Sequence, residues 1–322
     1  MSRAWHGPNP TPLQRRLLDA CLDPDEIRAA DAWRTWRSRC EFDEEDPASH
    51  ELASYAAARL GAAAAGASES ARSLGWHRRA WYLSELASSA ARRLATACRE
   101  RGLEAIALGD LAASRRGLEF AGRRLPIRTI EVFVPEIDRT MRGELLASAA
   151  LGAAGRAIEG HRLSCVILDA SQDRFAVVDE DASREGDGLA LPTLGSMLAR
   201  LAARNWCWNP PDRLRWMLEA VAILDAHPVP SQLGEEMRSS LDAAQAGRAA
   251  ELALRALRSI VPAEFGEDRL ARLDLAIDAA ASVRGGPRAR LRAWTRRHSP
   301  DSLIARGHRT LGRWRRSLRL GD

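Results

Sequence analysis

The sequence predicts an α+β fold in which a few short strands are framed by helices, and three observations lead to it. Residues 129 to 134 alternate, with Ile130, Val132 and Val134 on one side and Thr129, Glu131 and Phe133 on the other, which is the two-residue period of a strand. EAIALGD, at 104 to 110, reads as a second, short buried strand running into a turn. Long stretches on either side carry apolar residues at helical spacing, and an Ala- and Arg-rich chain with 46% hydrophobic residues belongs among mostly helical globular proteins.

Taken in order, Thr11 before Pro12 marks a helix start, with Leu13, Leu17, Leu18 and Cys21 on one stripe, and Trp33 and Trp36 share a face of a second helix. The acidic break EFDEEDP, ending at Pro47, is a loop. From Trp76 to Arg101 runs a long helical pattern with Trp81, Leu83, Leu86, Ala90, Leu94 and Cys98 inward and Gly102 at its stop. Residues 111 to 123 are expected as an Arg-rich helix ending at Gly122, with Asp110 as a candidate helix cap, and residues 136 to 157 as a helix with Ile137, Met141, Leu145, Leu146 and Ala149 inward. RLSCVILD and RFAVVDED form a hairpin around Ala170, Ser171, Gln172 and Asp173. Pro192 opens a further helix, and DRLRWMLEAVAILDAHP supplies another with Leu214, Met217, Leu218, Val221 and Leu224 inward. Beyond Pro228 an amphipathic pair of helices carries Leu241, Ala249, Leu252, Leu254 and Leu257.

Bulk properties remove several kinds of chemistry. All 48 basic residues are Arg, so a Walker-type phosphate loop, a Schiff-base enzyme and a lysine-based adenylating site are excluded for want of an amine. Five scattered cysteines lack the paired spacing of a zinc or redox site and read as reduced thiols. The opening MSRAWHGPNPTP has no apolar segment after its positive start, and no stretch is apolar enough to span a bilayer, so a cytoplasmic protein is expected. Neither a nucleophile elbow, a His pair at metal spacing nor a dinucleotide-binding glycine fingerprint occurs.

The stretch RLPIRTIEVFVP, at 124 to 135, resembles the catalytic strand of polymerase-beta-like nucleotidyltransferases, in an uncharacterised bacterial branch whose local pattern is Arg-Pro-x-x-Asp-apolar-Asp-apolar-apolar-Val. Pro126, Ile130, Glu131, Val132, Phe133 and Val134 match, Arg124 sits one place early, and Thr129 stands at the first Asp. A family Leu-Lys-Gly turn falls on Leu108, Gly109 and Asp110, or with a shift of one residue places its Gly at Gly109. SHELASYAAARLG, with His50, is similar to the family's N-terminal signature, and the RLRW segment to one that ends at an acid, here Asp225. The likeness runs over roughly residues 13 to 228 as an order of elements.

The resemblance implies a polymerase-beta-like nucleotidyltransferase core, a small mixed sheet with helices, flanked by N- and C-terminal helical regions. The division is then a helical region at 1–75, a nucleotidyltransferase-like core at 76–188, a helical region at 189–283 and a basic helical tail at 284–322. It also implies transfer of a nucleotidyl group from an NTP to an acceptor, with carboxylates holding two Mg2+ ions that activate the acceptor oxygen and share the charge of the transferring phosphate. Glu131 and Asp179 are the candidate catalytic and metal residues, and Gly109, Asp110 and Thr129 the candidate nucleotide-binding ones.

Thr129 offers a neutral hydroxyl in place of a carboxylate, and a carboxylate at Asp110 about 4 Å from a phosphate oxygen would oppose binding by about 4 kcal/mol at a near-surface effective dielectric. Two functions from different classes follow: an Mg2+-dependent nucleotidyltransferase with a weakened site, or a catalytically inactive relative serving as an accessory or binding protein, for instance in a biosynthetic cluster. Glu131 is on these grounds either a metal ligand or a solvent-facing strand residue, and Asp179 either a ligand or one acid of a hairpin. A third reading rests on the tail, where eleven Arg residues from Arg288 to Arg319 are interleaved with Trp294 and Trp314, a pattern that can grip nucleic acid or simply clothe a solvated helix.

Overall fold

Thr11 starts the first helix with a reciprocal cap: its Oγ1 accepts from Gln14 N at 3.2 Å, while Gln14 Oε1 accepts from Thr11 N at 3.0 Å. Residues 10–40, 47–149, 164–169, 183–184, 188–207, 214–262 and 265–283 are described by the structure, a computed structural model. Asp179, the RFAVVDED half of the expected hairpin, residues 150–157 and the basic tail lie outside them.

The cap starts α1 (Pro12–Leu22), and Asp25 caps α2 (Glu26–Arg37) through Ile27 N and Arg28 N. Trp33 and Trp36 do share a face; both are buried, with ring centroids 5.3 Å apart, and Trp33 Nε1 donates to the carbonyl of Ala65. That carbonyl ends α3 (Pro47–Ala65), which is kinked at Gly61. α4 (Ala67–Glu100) begins nine residues before the expected Trp76, so one continuous helix crosses the 75/76 division. It stops at Gly102 in the left-handed conformation, φ 67°. Leu94 and Cys98 on α4 are buried as expected, whereas Trp81 is 66% exposed, because Ser73, His77 and Ser84 hold the core-facing stripe of this helix instead.

The sheet follows. β1 (Ile106–Leu108) runs into α5 (Gly109–Arg115); then come β2 (Glu119–Phe120), β3 (Arg123–Arg124), β4 (Thr129–Phe133), α6 (Arg139–Ser148), β5 (Ser164–Leu168), β6 (Ser183–Arg184) and β7 (Ala190–Leu191). The expected helix over 111–123 is corrected: α5 ends at Arg115, and β2 and β3 pair as a hairpin across Ala121 and Gly122, at φ 52° and 70°. Two positive φ values are what a two-residue hairpin turn demands, and Ala at the first of them is an uncommon choice that hides the turn. Within the described part of the expected 136–157, α6 runs over Arg139–Ser148, starting three residues later than expected, with Leu145 and Ala149 buried.

The larger sheet has strand order β5-β4-β1-β7-β6. β4 runs antiparallel to β1, with Leu108 opposite Glu131, and parallel to β5, with Glu131 opposite Val166. This is a mixed sheet, as expected. Ala107, Ile130, Val132 and Ile167 turn into the main core, while Ile106, Leu108, Phe133 and Ala190 form a small apolar cluster on the other face. Period two therefore puts Thr129 and Glu131 on the side of the small cluster.

α7 (Leu194–Cys207), α8 (Arg215–Ala226), α9 (Pro230–Ala244), α10 (Gly247–Ile260) and α11 (Glu267–Ser282) are the remaining elements among the described residues. Among the described residues three helices follow Pro228 where a pair was expected. α7 packs on α9 and α10, α11 closes against both of these, and α7 also meets α5 and α8, which brings the helical region against the turn after β1. Leu214, Met217, Leu218, Val221 and Leu224 are buried as expected. No helix among the described residues is long and apolar enough to cross a membrane.

Candidate functional site: two clusters of arginine and carboxylate about the Gly109 turn

Glu131 leaves β4 opposite Leu108, so its side chain crosses the turn that follows β1. Gly109 occupies that turn at φ 53°, and a Cβ there would lie 2.9 Å from Glu131 Oε2 and 3.5 Å from Arg200 Nη1. The position needs glycine twice over, for its backbone angle and for the space. Onto the same oxygen α7 brings two guanidiniums from positions four apart on one helix face: Arg200 Nη2 at 2.7 Å and Arg204 Nη1 at 2.9 Å. The Arg200 side chain is only 8% exposed, whereas that of Arg204 is 42% exposed. Burial opposes the charge of Glu131, but Arg200 and then Arg204 outweigh it, and the carboxyl titrates below its ordinary value.

On the other side of the turn, Arg215 of α8 is buried and gathers carboxylates from three helices. Its Nη1 donates to Glu51 Oε1 of α3 at 3.0 Å and its Nη2 to the carbonyl of Pro126 at 2.9 Å. Asp110 of α5 lies 3.5 Å from Nη2, and Glu219, one turn along α8, lies 2.6 Å from Nε. Arg128, just before β4, closes the group: its Nη1 donates to Glu51 Oε2 at 2.5 Å and its backbone N to Asp110 Oδ2 at 3.1 Å. Two guanidiniums thus face three carboxylates. Full burial leaves Glu219 the least able to stay charged, and it is pushed up to about 7 in spite of Arg215, with Asp110 and Glu51 also raising it. Burial likewise pushes the phenol of Tyr55, beside this group, far above its usual range.

Between the clusters lies a pocket of about 40 Å3, room for a water or two, with Leu108, Gly109, Ser196, Met197, Arg200 and Glu219 among its walls.

Among the residues singled out from sequence, the structure brings Gly109, Asp110, Thr129 and Glu131 to one end of the β1–β4 pair. Asp110 is not the cap of α5; it sits in the first turn and accepts from Arg128 N. Thr129 is half-buried on β4, in register with Ser164. Asp225 is drawn elsewhere, to a two-pronged pair with Arg269 of α11 at 2.6 and 2.9 Å. Arg200, Arg204, Arg215, Glu51 and Glu219 were not singled out. The sequence shows their spacing but not their partners: Arg200 and Arg204 share a stripe with Met197, and Arg215 and Glu219 are four apart in a helix whose one other charged residue is Asp225.

Mg2+ demands near-octahedral oxygen donors carrying negative charge. At this edge β4 supplies one hydroxyl and one carboxylate, and the carboxylate oxygen already touches two guanidiniums. Among the described residues no three His, Cys, Asp or Glu side chains are grouped to hold a metal ion. Where carboxylates do converge, on Glu51, Asp110 and Glu219, the cation at their centre is Arg215. The described side chains do not fit a two-metal site.

Comparison of the chain with protein-family models, with curated proteins and with solved structures finds no match. The reading of the site therefore rests on its own geometry.

Proposed function

We propose that the chain is a nucleotidyltransferase-like protein that keeps the strand, turn, helix and second strand of that fold but serves as a non-catalytic accessory or binding protein. One observation carries this reading: the carboxylate that β4 presents, Glu131, is neutralised by Arg200 and Arg204 rather than left open for a cation. A divalent ion placed at Oε2 would meet two guanidiniums already within 2.9 Å, and it would have to expel both before the oxygen became a ligand. The likeness to the fold is supported by the frame: β1, the Gly109 turn and α5 precede β4, and β4 joins β1 and β5 in a small mixed sheet, the kind of sheet the resemblance implies.

The same frame favours a second reading, in which the chain transfers a nucleotidyl group and Glu131 and Asp179 hold Mg2+ after Arg200 and Arg204 turn to the nucleotide phosphates. Titration calorimetry with Mg2+ and each NTP separates the two. The non-catalytic reading expects no Mg2+-dependent nucleotide binding at millimolar concentrations. Mg2+-dependent binding that disappears in Glu131→Ala, with the variant folded by circular dichroism, would overturn it in favour of catalysis.

A further inference from the structure

We propose that Arg200 and Arg204 form a metal-free binding site for a phosphate monoester or inorganic phosphate, in which Glu131 is the resident counter-ion that the ligand displaces. This rests on the reading above in one respect, that Glu131 holds no metal.

Two guanidiniums converge on a single carboxylate oxygen, at 2.7 and 2.9 Å, and guanidinium pairs with phosphate through the same charge-assisted hydrogen bonds that it makes to carboxylate. Their four-residue spacing fixes the two groups on one face of α7, so the pair is held by backbone rather than by the carboxylate alone. Access is graded: Arg204 is 42% exposed and faces solvent, while Arg200 is 8% exposed and walls the pocket beside Ser196 and Gly109. Because Gly109 carries no Cβ, an oxygen can stand directly against the turn, as Glu131 Oε2 now does.

Charge selects the ligand class. Glu131 contributes one negative charge, and a carboxylate ligand would only exchange like for like while leaving Glu131 expelled. A phosphate monoester carries about −1.5 to −2 at pH 7 and three acceptor oxygens, so it can hold both guanidiniums more strongly than the group it replaces. Glu131, released, swings toward solvent past the half-exposed Arg204. The pocket has room only for a water or two, so the headgroup sits over the clamp on the Arg204 side, with the remainder of any ester outside.

The test is calorimetric titration of inorganic phosphate in the presence of EDTA, using the full chain. Glu131→Gln, which keeps the shape and removes the competing charge, is expected to bind phosphate at least about tenfold more tightly than wild type. Arg204→Gln is expected to weaken binding at least about tenfold, and acetate at equal concentration is expected to bind none of the three proteins. The proposal is overturned if Glu131→Gln binds no better than wild type, or if Arg204→Gln binds as well. Should Glu131→Gln not fold, Glu131→Asp, which withdraws the carboxylate by one methylene, is expected to tighten binding in the same direction, and no gain there overturns the site equally. Repeating the titration with Mg2+ in place of EDTA keeps the two readings apart. Mg2+ binding abolished by Glu131→Gln sinks the non-catalytic function, whereas silence toward both Mg2+ and phosphate sinks the phosphate site alone.

Discussion

Glu131 on β4 and Arg200 on α7, 69 residues apart in sequence, meet at 2.7 Å, and both side chains are largely buried. This pair ties the sheet to the C-terminal helices at the turn where the candidate site is built. Removing one member leaves the other charged and poorly solvated, a change that costs about 3–5 kcal/mol when a buried pair is broken. Arg200→Met is therefore expected to lower the unfolding free energy by about 3 kcal/mol or more in urea denaturation. Arg204→Met, at the exposed side of the same carboxylate, is expected to cost about 1 kcal/mol or less. Equal costs for the two would show that burial does not set the strength of this clamp.

Glu219 gives the stability a pH dependence with a defined sign. Its ordinary value is 4.5, and burial raises it to about 7 in the native protein. The native state then holds this proton more tightly than the unfolded chain does, so its contribution to stability is complete below pH 4.5 and is lost as the pH rises through about 7. The groups that face it are Arg215 and Arg128, which oppose the rise, and Asp110 and Glu51, which add to it. Stability of the wild type is expected to fall by on the order of 2–3 kcal/mol over the window, and Glu219→Gln to flatten that fall. The melting temperature against pH for both proteins checks this, and parallel curves would refute it. Glu131 acts in the opposite sense: its carboxyl lies below the ordinary value, so its stabilisation is present above the usual carboxylate range and lost as pH falls through the depressed value.

What sequence made legible follows from the range of the interactions involved. β4 was readable because alternation over residues 129 to 134 is a local pattern, and α1 because Thr11, Pro12 and Gln14 carry a complete cap within four positions. The hairpin of β2 and β3 was hidden because its turn uses Ala121, which gives no sign of a positive φ. At the site, the sheet contribution of Gly109, Asp110, Thr129 and Glu131 was legible from strand and turn signals. Its helical half was not, since Arg200 and Arg204 acquire meaning only when α7 folds back on β4, and Arg is so common in this chain that no single one stands out. Asp110 changed role for the same reason: the cap it resembles locally gives way to Arg128 and Arg215, which arrive from elsewhere.

Gly109→Ala tests how closely the turn and Glu131 are fitted. An Ala at φ 53° is strained by about 1 kcal/mol, and its Cβ would press on Glu131 Oε2 at 2.9 Å. Because that carboxylate is pinned by two guanidiniums, it cannot step aside freely. The expected loss is about 2–3 kcal/mol in wild type but only about 1 kcal/mol in a Glu131→Ala background, where the steric part has gone. Identical losses in both backgrounds, read from denaturant midpoints, would mean that the backbone angle alone demands glycine.

Gly247 and Gly143 offer the same substitution with opposite outcomes. Gly143 lies inside α6, where Gly→Ala on propensity alone stabilises by about 0.5–1 kcal/mol, and Gly247 is the first residue of α10, where that gain is at most as large. Around Gly143 a new Cβ would meet nothing within 4 Å, so Gly143→Ala is expected to raise the melting temperature. Around Gly247 it would stand 2.6 Å from the carbonyl oxygen of Ala280 and from Val283 Cβ, and 2.7 Å from the carbonyl oxygen of Val283. Two of these atoms belong to the backbone at the end of α11, which can move only by opening the contact between α10 and α11. Overpacking of this kind costs about 1–3 kcal/mol and exceeds the propensity gain. Gly247→Ala is accordingly expected to lower the melting temperature, and a rise at both positions would show that the α10–α11 contact is looser than these distances require.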